Sequence, residues 1–232
     1  MFIEVKDAVK EYGEGESLIK AMDKVNFSGQ KGEITVILGP SGSGKSTLLN
    51  MLGGIDRLDS GEIRIGDTLL SGLKKNELTD YRRNHVGFVF QSYNLIPDLT
   101  VRENVEVVAD ISKQPLDIDE LIEMLDLTKH SHKFPKELSG GQQQRCAIAR
   151  ALVKNPDILL CDELTGALDS KSSRDVLRML SKINKEYKTT IIIITHNEAI
   201  SAMADRIVRI HDGRIVCNDI NTAKLDVDKL EI

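Results

Sequence analysis

A glycine-rich loop between an apolar run and a helical segment is the feature that most limits how this chain can fold. The run Ile34 to Leu38 comes directly before the loop, and the segment Leu48 to Leu52 follows it. The loop fits the pattern G-x-x-x-x-G-K-[ST] and consists of Gly39, Pro40, Ser41, Gly42, Ser43, Gly44, Lys45, Ser46 and Thr47. In this context the loop turns its backbone N–H groups around phosphate oxygens at a helix N-terminus. The alternative is a glycine-rich turn with an exposed lysine, and the flanking segments argue against it.

The loop therefore predicts a bound nucleotide. We expect the Lys45 ammonium to reach the β- and γ-phosphates and the Ser46 hydroxyl to ligate Mg²⁺. A second apolar run, beginning at Ile158, ends in the adjacent carboxylates Asp162 and Glu163. At the carboxyl end of a parallel strand, Asp162 would lie beside the nucleotide as a partner of Mg²⁺. Glu163 would then be the general base for an attacking water.

Strand-length apolar runs alternate with helical patterns along the chain and predict an α/β fold with a mainly parallel sheet. Besides Ile34 to Leu38, three runs have this character: Val86 to Phe90, Ile158 to Cys161 and Thr190 to Thr195. Continuous runs of valine, isoleucine and leucine are typical of strands buried on both faces. A helical stripe is expected in Ser172 to Tyr187, and strand and helix in alternation indicate a covered sheet.

Antiparallel strands and a helical insertion are expected around this core. Residues 1–30 alternate loosely, and Asp212-Gly213 and Gly66-Asp67 are hairpin signals. The segment from about 98 to 153 is instead mostly helical, with a capping box predicted at Thr100. We interpret residues 1–232 as a single domain with a helical subdomain at about 98–153.

The composition of the chain limits the classes of function that it can have. The formal net charge is −5 and the charges are interspersed, which predicts no nucleic-acid partner. The apolar runs are far shorter than the roughly 20 residues of a membrane-spanning helix, and the N-terminus does not resemble a signal segment. Three widely spaced cysteines fit neither a disulfide framework nor a zinc site. We interpret Cys146, Cys161 and Cys217 as small buried apolar residues in a reducing cytosol.

A second helix start has the properties of an anion site. Ser139 and Gln142 form a predicted capping box ahead of a helical segment, and Gly140 and Gly141 leave its first turn without bulky side chains. The simpler interpretation is a well-capped helix alone. One nucleotide does not need two helix N-termini from the same direction. In a head-to-tail pair of chains that shares two nucleotides, both helix N-termini of each chain would have a phosphate to bind.

Together these motifs make the chain resemble the ATP-binding-cassette (ABC) ATPases, the nucleotide-binding subunits of ABC transporters, over essentially its whole length. The resemblance implies the fold of that P-loop cassette, with a parallel core, an antiparallel β subdomain and a helical insertion. It also implies that residues 138–142 close on the γ-phosphate held by the opposite subunit. Gln91 corresponds to a glutamine that touches Mg²⁺ or the attacking water.

The resemblance assigns three more site residues. His196 matches a histidine that senses the γ-phosphate and partners the catalytic glutamate, although a histidine after a strand is often structural. Asp169 matches a loop at the dimer interface, and Tyr12 matches an aromatic residue that stacks on adenine, the alternative being an edge-strand tyrosine. Leu164 stands where the family usually has proline, which is expected to loosen the turn toward Asp169 slightly.

The segments 53–61, 81–97 and 165–169 look most like the group that serves lipoprotein release, macrolide efflux and antimicrobial-peptide export or resistance. This implies an ATPase that binds ATP and Mg²⁺, dimerises, and drives transmembrane permease subunits. Such a chain would be cytoplasmic and would reach the cell membrane only through its partner. A cytosolic ABC ATPase without transport, such as an iron-sulfur cluster assembly type, and an importer cassette remain open. A GTPase or small-molecule kinase leaves residues 138–142 and His196 without a role.

Overall fold

The computed structural model describes residues 1–231, which form ten strands and seven α-helices. The strands are β1 (Ile3–Tyr12), β2 (Ile19–Gly29), β3 (Ile34–Leu38), β4 (Ser60–Ile65), β5 (Thr68–Leu69), β6 (Val86–Val89), β7 (Ile158–Asp162), β8 (Thr190–Thr195), β9 (Arg206–His211) and β10 (Arg214–Ile220). The helices are α1 (Lys45–Leu52), α2 (Lys75–His85), α3 (Val101–Ala109), α4 (Ile118–Met124), α5 (Gly140–Leu152), α6 (Ser170–Tyr187) and α7 (Glu198–Ser201).

A six-stranded sheet in the order β10-β9-β3-β8-β7-β6 forms the centre of the fold. Its strands from β9 to β6 are parallel, and β10 is an antiparallel edge strand. The predicted mainly parallel sheet is therefore confirmed. Strand β6 ends one residue earlier than predicted, because the Phe90 carbonyl already accepts a turn hydrogen bond from the Tyr93 N–H. Strand β7 runs one residue further, because Asp162 still pairs with Ile194 of β8.

Both faces of this sheet are buried, and a separate apolar cluster covers each. Along β8, Ile191 and Ile193 point into the cluster that includes α3 to α6. Ile192 and Ile194 point into the other, which includes α1, α2 and the second sheet. All four residues have no exposed surface. This two-sided burial explains why the strand reads as an uninterrupted apolar run rather than an alternating one.

The second sheet is antiparallel, with the order β2-β1-β4-β5. Strand β1 pairs with both β2 and β4, and β4 and β5 form the hairpin predicted at Gly66-Asp67. The hairpin of β9 and β10 turns at Asp212 and Gly213, whose φ angles are 45° and 71°. Two consecutive positive φ angles suit a tight turn between twisted strands. The expected antiparallel additions are thus confirmed.

Helices α3, α4 and α5 occupy the segment expected to be helical, and their buried residues share one cluster with the central sheet. The predicted capping box at Thr100 is present, since its side chain accepts a hydrogen bond from the Glu103 N–H. Helix α6 begins at Ser170, two residues earlier than predicted, because Asp169 caps it. The assignment of the whole chain to a single domain stays a prediction. Among the helices of residues 1–231, none combines the length and apolar character needed to span a bilayer.

The cysteines differ in burial. Cys146 and Cys161 are buried and all three thiols are free, as expected. Burial raises the pKa of the Cys146 thiol to about 12, so it stays protonated. The prediction was wrong for Cys217, which is partly exposed on the edge strand β10, with its Sγ 3.0 Å from an Asp219 carboxylate oxygen. An edge strand has no neighbour on one side to cover it.

Candidate functional site

The candidate site lies at one edge of the central sheet, where the carboxyl ends of four neighbouring parallel strands meet. Strands β3, β8, β7 and β6 are adjacent in that order. The residues that follow or end them are, in turn, Gly39, His196, Asp162 with Glu163, and Gln91. In open α/β sheets this edge is where ligands bind. The topology therefore gathers residues that are more than a hundred positions apart in the chain.

The glycines of the phosphate loop are required by its path. A Cβ on Gly39 would lie 2.3 Å from the Ile210 carbonyl oxygen, and one on Gly44 would lie 2.3 Å from that of Ala21. Gly44 also has a φ of 101°, which side chains rarely allow. The Gly213 N–H donates to the Ser43 carbonyl at 3.0 Å, so the loop is held against the β9-β10 hairpin. The loop leaves no room for other residues at these points.

Lys45 and the start of α1 offer groups that suit an anion. The Lys45 ammonium donates to the carbonyls of Gly39 and Pro40, each at 2.8 Å, and the residue is 8% exposed. Helix α1 has no side-chain cap and no acidic residue in its first turn. Its first N–H groups therefore lack partners within the helix. The buried Ser43 hydroxyl is also without a hydrogen-bond partner. These donors fit phosphate oxygens.

Ser46 and Asp162 lie close enough to share one cation. The Ser46 Oγ is 3.5 Å from an Asp162 carboxylate oxygen. Two neighbouring ligands of an octahedral Mg²⁺ lie about 3 Å apart, because each sits about 2.1 Å from the ion. No group of three His, Cys, Asp or Glu side chains suitable for a metal occurs in residues 1–231. The pair therefore fits Mg²⁺ that arrives with nucleotide phosphates as its remaining ligands.

Glu163 and His196 contact each other directly. The His196 Nδ1 is 2.9 Å from a Glu163 carboxylate oxygen, as the resemblance implied. Glu163 has a φ of 48°, an unusual value for a residue with a side chain. Its N–H donates to the Ile194 carbonyl at 3.0 Å, which ties the turn after β7 to β8. The side chains differ in exposure, at 21% for Glu163 and 72% for His196, so the imidazole faces outward.

Gln91 lies against the turn that carries Glu163. A Cβ on Gly166 would lie 3.0 Å from the Gln91 Nε2, and the Gly166 N–H donates to the Glu163 carbonyl at 2.9 Å. Leu164, in the same turn, is 2% exposed and packs in the core. The apolar packing of Leu164 thus anchors this turn at the position where the family usually has a proline. The loosening expected from Leu164 stays a prediction.

Tyr12 ends strand β1 and is 42% exposed. Its hydroxyl donates to an Asp56 carboxylate oxygen at 2.8 Å, and the Lys10 ammonium lies 5.1 Å from the centre of its ring. Partial burial and the neighbouring Asp56 raise the pKa of Tyr12 above its ordinary value, so the hydroxyl stays protonated. These contacts fix the ring at the end of the strand. Stacking on adenine stays a prediction.

The second helix start is built as the sequence predicted. The Ser139 N–H donates to the Gln142 Oε1 at 2.9 Å, and the Gln142 N–H donates to the Ser139 Oγ at 3.3 Å. A Cβ on Gly140 would lie 2.9 Å from the Tyr93 hydroxyl, so the first turn is packed closely. Within residues 1–231, no hydrogen bond joins residues 139–142 to the phosphate loop. The starts of α1 and α5 are thus separate features of one chain.

Asp169 has a structural role that sequence reasoning did not assign. Its carboxylate accepts hydrogen bonds from the Ser172 N–H at 2.9 Å and the Ser172 hydroxyl at 2.7 Å, which caps α6. The hydrogen bonds from Ser172 lower the pKa of Asp169 below its ordinary value. A Cβ on Gly141 would lie 3.1 Å from Ser172, so this cap lies beside the start of α5.

Sequence reasoning missed residues that shape the loop after Gln91. Asn104 is completely buried; its Oδ1 accepts from the Ile96 N–H at 2.8 Å, and its Nδ2 donates to the Leu99 carbonyl at 3.0 Å. Arg150 donates to the Tyr93 carbonyl at 3.0 Å. A lone asparagine or arginine in a helix gives no sequence signal, because its partners are set by the tertiary fold.

Comparison with known proteins agrees with this geometry. The family model described as ABC transporter matches residues 22–166, which include the phosphate loop, residues 139–142 and Glu163. This chain belongs to the ABC transporter family. The predicted family and the cassette fold are therefore confirmed.

Three relatives illustrate the range of ABC proteins to which this cassette is similar. A putative ABC transporter ATP-binding protein of Mycoplasma pneumoniae is 47% identical over 192 residues, which are 82% of this chain and 57% of that protein. The macrolide export ATP-binding/permease protein MacB of Rhodopseudomonas palustris is 41% identical over 225 residues, 95% of this chain and 34% of that protein. The cassette thus spans little more than half of the first relative and a third of the second.

The third relative is an uncharacterized ABC transporter ATP-binding protein of Methanocaldococcus jannaschii. It is 42% identical over 226 residues, 92% of this chain and 94% of that protein. A structure of that cassette, described as dimeric, in a post-hydrolysis state and bound to ADP and Pi, superimposes with a TM-score of 0.85. That match is at 39% identity and covers 94% of this chain and 98% of that one.

Proposed function

We propose that this cassette hydrolyses ATP to ADP and phosphate, that two copies close head-to-tail around two MgATP, and that closure drives transmembrane permease subunits. The observation that carries the proposal is the contact between Glu163 and His196, 2.9 Å apart at the sheet edge that also carries the phosphate loop. A base held by a second polar side chain beside a phosphate cradle suits hydrolysis. The relative bound to ADP and Pi supports the same reaction.

The phosphate loop and α1 bind the triphosphate in this proposal. The N–H groups of the first turn and the Lys45 ammonium replace water around the β- and γ-phosphates. Ser46 and Asp162, 3.5 Å apart, hold the cation on the side facing β7. Mg²⁺, when bound there, neutralises charge on the phosphate oxygens. Tyr12 supplies an exposed ring for the base.

Glu163 acts as the general base that takes the proton of the attacking water. His196 fixes the orientation of the carboxylate through Nδ1, and its exposed ring faces the position of the γ-phosphate. Gln91 lies against the same turn and places its amide beside the attacking water or the cation. General-base catalysis of this kind contributes about 10²- to 10⁴-fold to a rate.

The start of α5 completes the site of a second copy. In the proposal, Ser139 and the N–H groups of Gly140 and Gly141 bind the γ-phosphate held by the opposite chain, and Asp169 lies at the same interface. ATP can favour the closed pair only through a higher affinity for it than for the open one. The contact of the γ-phosphate with the opposite α5 supplies that difference. The dimeric relative from Methanocaldococcus jannaschii supports this arrangement.

A permease partner is supported by apolar side chains exposed on and next to the helical segment. Ile96, Val107 and Ile111 are 38%, 41% and 61% exposed, and Ile96 lies in the loop after Gln91. A coupling helix docked there would contact the loop that senses the nucleotide. The name of MacB as an export ATP-binding/permease protein favours export of macrolides, peptides or lipoproteins. The cassette would then work on the cytoplasmic face of the cell membrane.

The variant Glu163→Gln tests the proposal. We expect it to bind ATP with near-normal affinity, because no phosphate ligand changes. Turnover should fall about 10²- to 10⁴-fold, because the base is lost. The ATP-bound dimer should accumulate on size exclusion chromatography. Near-normal ATPase activity in this variant would overturn the role of Glu163.

The matched control is Glu186→Gln, which makes the same chemical change at an exposed position of α6. It should keep parent activity and show no trapped dimer.

The transport part of the proposal needs a separate test. Affinity purification of the chain from native membranes should recover an integral membrane subunit with it. Recovery only in a soluble fraction, without such a subunit, would favour the cytosolic alternative.

A further inference from the structure

The side-chain amide of Gln142 has a defined orientation at the start of α5. Its Oε1 accepts the Ser139 N–H at 2.9 Å, so the amide oxygen faces Ser139. The opposite end, Nε2, is then 3.2 Å from the Nε2 of His130. A carboxamide nitrogen can only donate hydrogen bonds and cannot accept them. His130 must therefore present a lone pair at its Nε2.

That requirement fixes the protonation state of His130. With a lone pair at Nε2, the ring is neutral and its one proton is on Nδ1. Nδ1 is buried and has no hydrogen-bond partner. A protonated ring would place a second donor against the Gln142 amide. The amide would then have to rotate, which would remove its oxygen from the Ser139 N–H.

His130 is held in place from a second helix. The Lys133 N–H donates to the His130 carbonyl at 2.9 Å, which closes the turn that His130 begins. The carbonyls of Ser131 and Lys133 accept the N–H groups of Arg102 and Val101, in the first turn of α3, each at 2.9 Å. The segment 130–133 thus bridges the start of α3 and the start of α5.

The charges around His130 favour its neutral form. Lys129 and Lys133 belong to its own segment, Arg145 faces it from α5, and Asp126 comes from the turn after α4. Asp126 is paired with Arg145 at 2.9 Å and offsets its charge, which leaves those of Lys129 and Lys133. The N-terminus of α5 adds the positive end of its dipole. Burial, with Lys133 and Arg145, lowers the pKa of His130 below its ordinary value.

We propose that His130 is a positioning residue for residues 139–142, which keeps the Gln142 amide on the Ser139 N–H only while its ring is neutral. The inference rests on the proposed function, in that Ser139 contacts the nucleotide of the opposite copy. Acidification protonates His130, releases Gln142, and weakens ATP-dependent closure. At neutral pH and above, the contact is intact.

The direct test is NMR of the whole chain without nucleotide, with ¹⁵N-labelled histidine and glutamine. The signal that His130→Gln removes identifies His130. We expect the Nδ1–H tautomer at pH 7.5 and a titration midpoint below the ordinary value of a histidine. The side-chain amide of Gln142 should shift with the same midpoint. An Nε2–H tautomer, or an amide that does not follow the titration of His130, would overturn the inference.

The functional test measures ATP-dependent dimerisation in the Glu163→Gln background at pH 7.5 and at a pH below the titration midpoint that NMR gives for His130. The parent should lose affinity about tenfold at the lower pH, because each copy loses a hydrogen bond at its residues 139–142. His130→Gln keeps an acceptor that cannot titrate, so it should restore dimerisation at low pH. His130→Phe has no acceptor and should dimerise weakly at both pH values.

His132→Gln is the matched control, because it removes an exposed histidine two positions away. It should keep the pH dependence of the parent. If His132→Gln and His130→Gln lose that dependence equally, the inference is wrong. Failure of the parent to dimerise with ATP at pH 7.5 would contradict the proposed function instead, and the NMR result would still decide the role of His130.

Discussion

At the residue scale, the catalytic candidate Glu163 has an unfavourable backbone conformation. Its φ of 48° lies in the left-handed region. That region costs a residue with a side chain about 1–2 kcal/mol. The hydrogen bond from its N–H to the Ile194 carbonyl holds this conformation and points the carboxylate at His196. Strain of this kind persists where surrounding contacts hold it, so the orientation of the proposed base is maintained at the expense of stability.

The comparison of Glu163→Gly with Glu163→Ala tests this strain. Both variants lack the carboxylate and lose the contact with His196, but only glycine adopts the positive φ without penalty. We expect Glu163→Gly to be more stable by about 1 kcal/mol, which raises the unfolding temperature by about 2–4 °C. Thermal unfolding of the nucleotide-free chain, followed by circular dichroism, would measure this difference in unfolding temperature. Equal unfolding temperatures would show that the turn relaxes when the side chain is removed.

How far a residue's role can be predicted depends on how local its partners are. The phosphate loop can be recognised from sequence because consecutive residues carry it. The pairing of Glu163 with His196 follows only once β7 and β8 are known to be neighbours, which the resemblance supplied and the spacing did not. Asn104 and His130 gave no signal, because each acts through contacts that the tertiary fold creates.

At the scale of elements, helix α1 begins where the backbone of another strand approaches. Gly42 and Gly44 both have positive φ angles, but only Gly44 is crowded, since a Cβ added to it would lie 2.3 Å from the Ala21 carbonyl oxygen. Gly42→Ala should therefore lower the free energy of unfolding by about 1–2 kcal/mol, through backbone conformation alone. Gly44→Ala should cost clearly more and lower ATP affinity, because α1 must shift. Thermal unfolding and calorimetric titration with ATP would measure both; equal losses would contradict this account.

Helix α6 depends on its cap at Asp169. Asp169→Ala should lower the unfolding temperature, whereas Asp169→Asn should keep the cap. The pKa of Asp169 is depressed in the folded chain. Its carboxylate therefore stabilises the fold above its unfolded pKa, and that stability is lost as pH falls through the folded pKa. The difference in free energy of unfolding between the parent and Asp169→Asn should thus shrink below about pH 4. A difference that is constant from pH 7 to pH 3 would contradict the charge contribution.

The elements themselves were largely predictable, and the errors occurred at their ends. Buried runs such as Thr190–Thr195 coincide with strands, because two-sided burial leaves a continuous apolar signal. The end of β6 and the start of α6 moved by one or two residues, since a turn at Phe90 and a cap at Asp169 decide them. The exposure of Cys217 was missed because sequence alone does not show which strand is the sheet edge.

At the scale of the whole molecule, the proposed function gives one chain two incomplete halves of a site. The phosphate loop and Glu163 form one half, and the start of α5 at Ser139 forms the other, with no hydrogen bond between them in residues 1–231. In the proposal, a two-fold pair joins each half to the complementary half of its partner, because an isologous interface repeats every contact twice. The helical segment that carries α5 also carries Val107 and Ile111, two of the three exposed apolar side chains proposed for the permease.

This arrangement predicts that two inactive variants restore activity when mixed. Ser139→Arg fills the start of α5, and Lys45→Ala removes a proposed phosphate ligand, so each should lose nearly all ATPase activity alone. In a mixed dimer, the intact phosphate loop of the first variant faces the intact α5 of the second, which leaves one complete site. Half of the dimers in an equal mixture are mixed and each has one working site, so the ATPase rate should recover to at most about a quarter of the parent rate. If α5 instead acted on the nucleotide of its own chain, no dimer would hold a complete site, and the mixture would stay as inactive as its components.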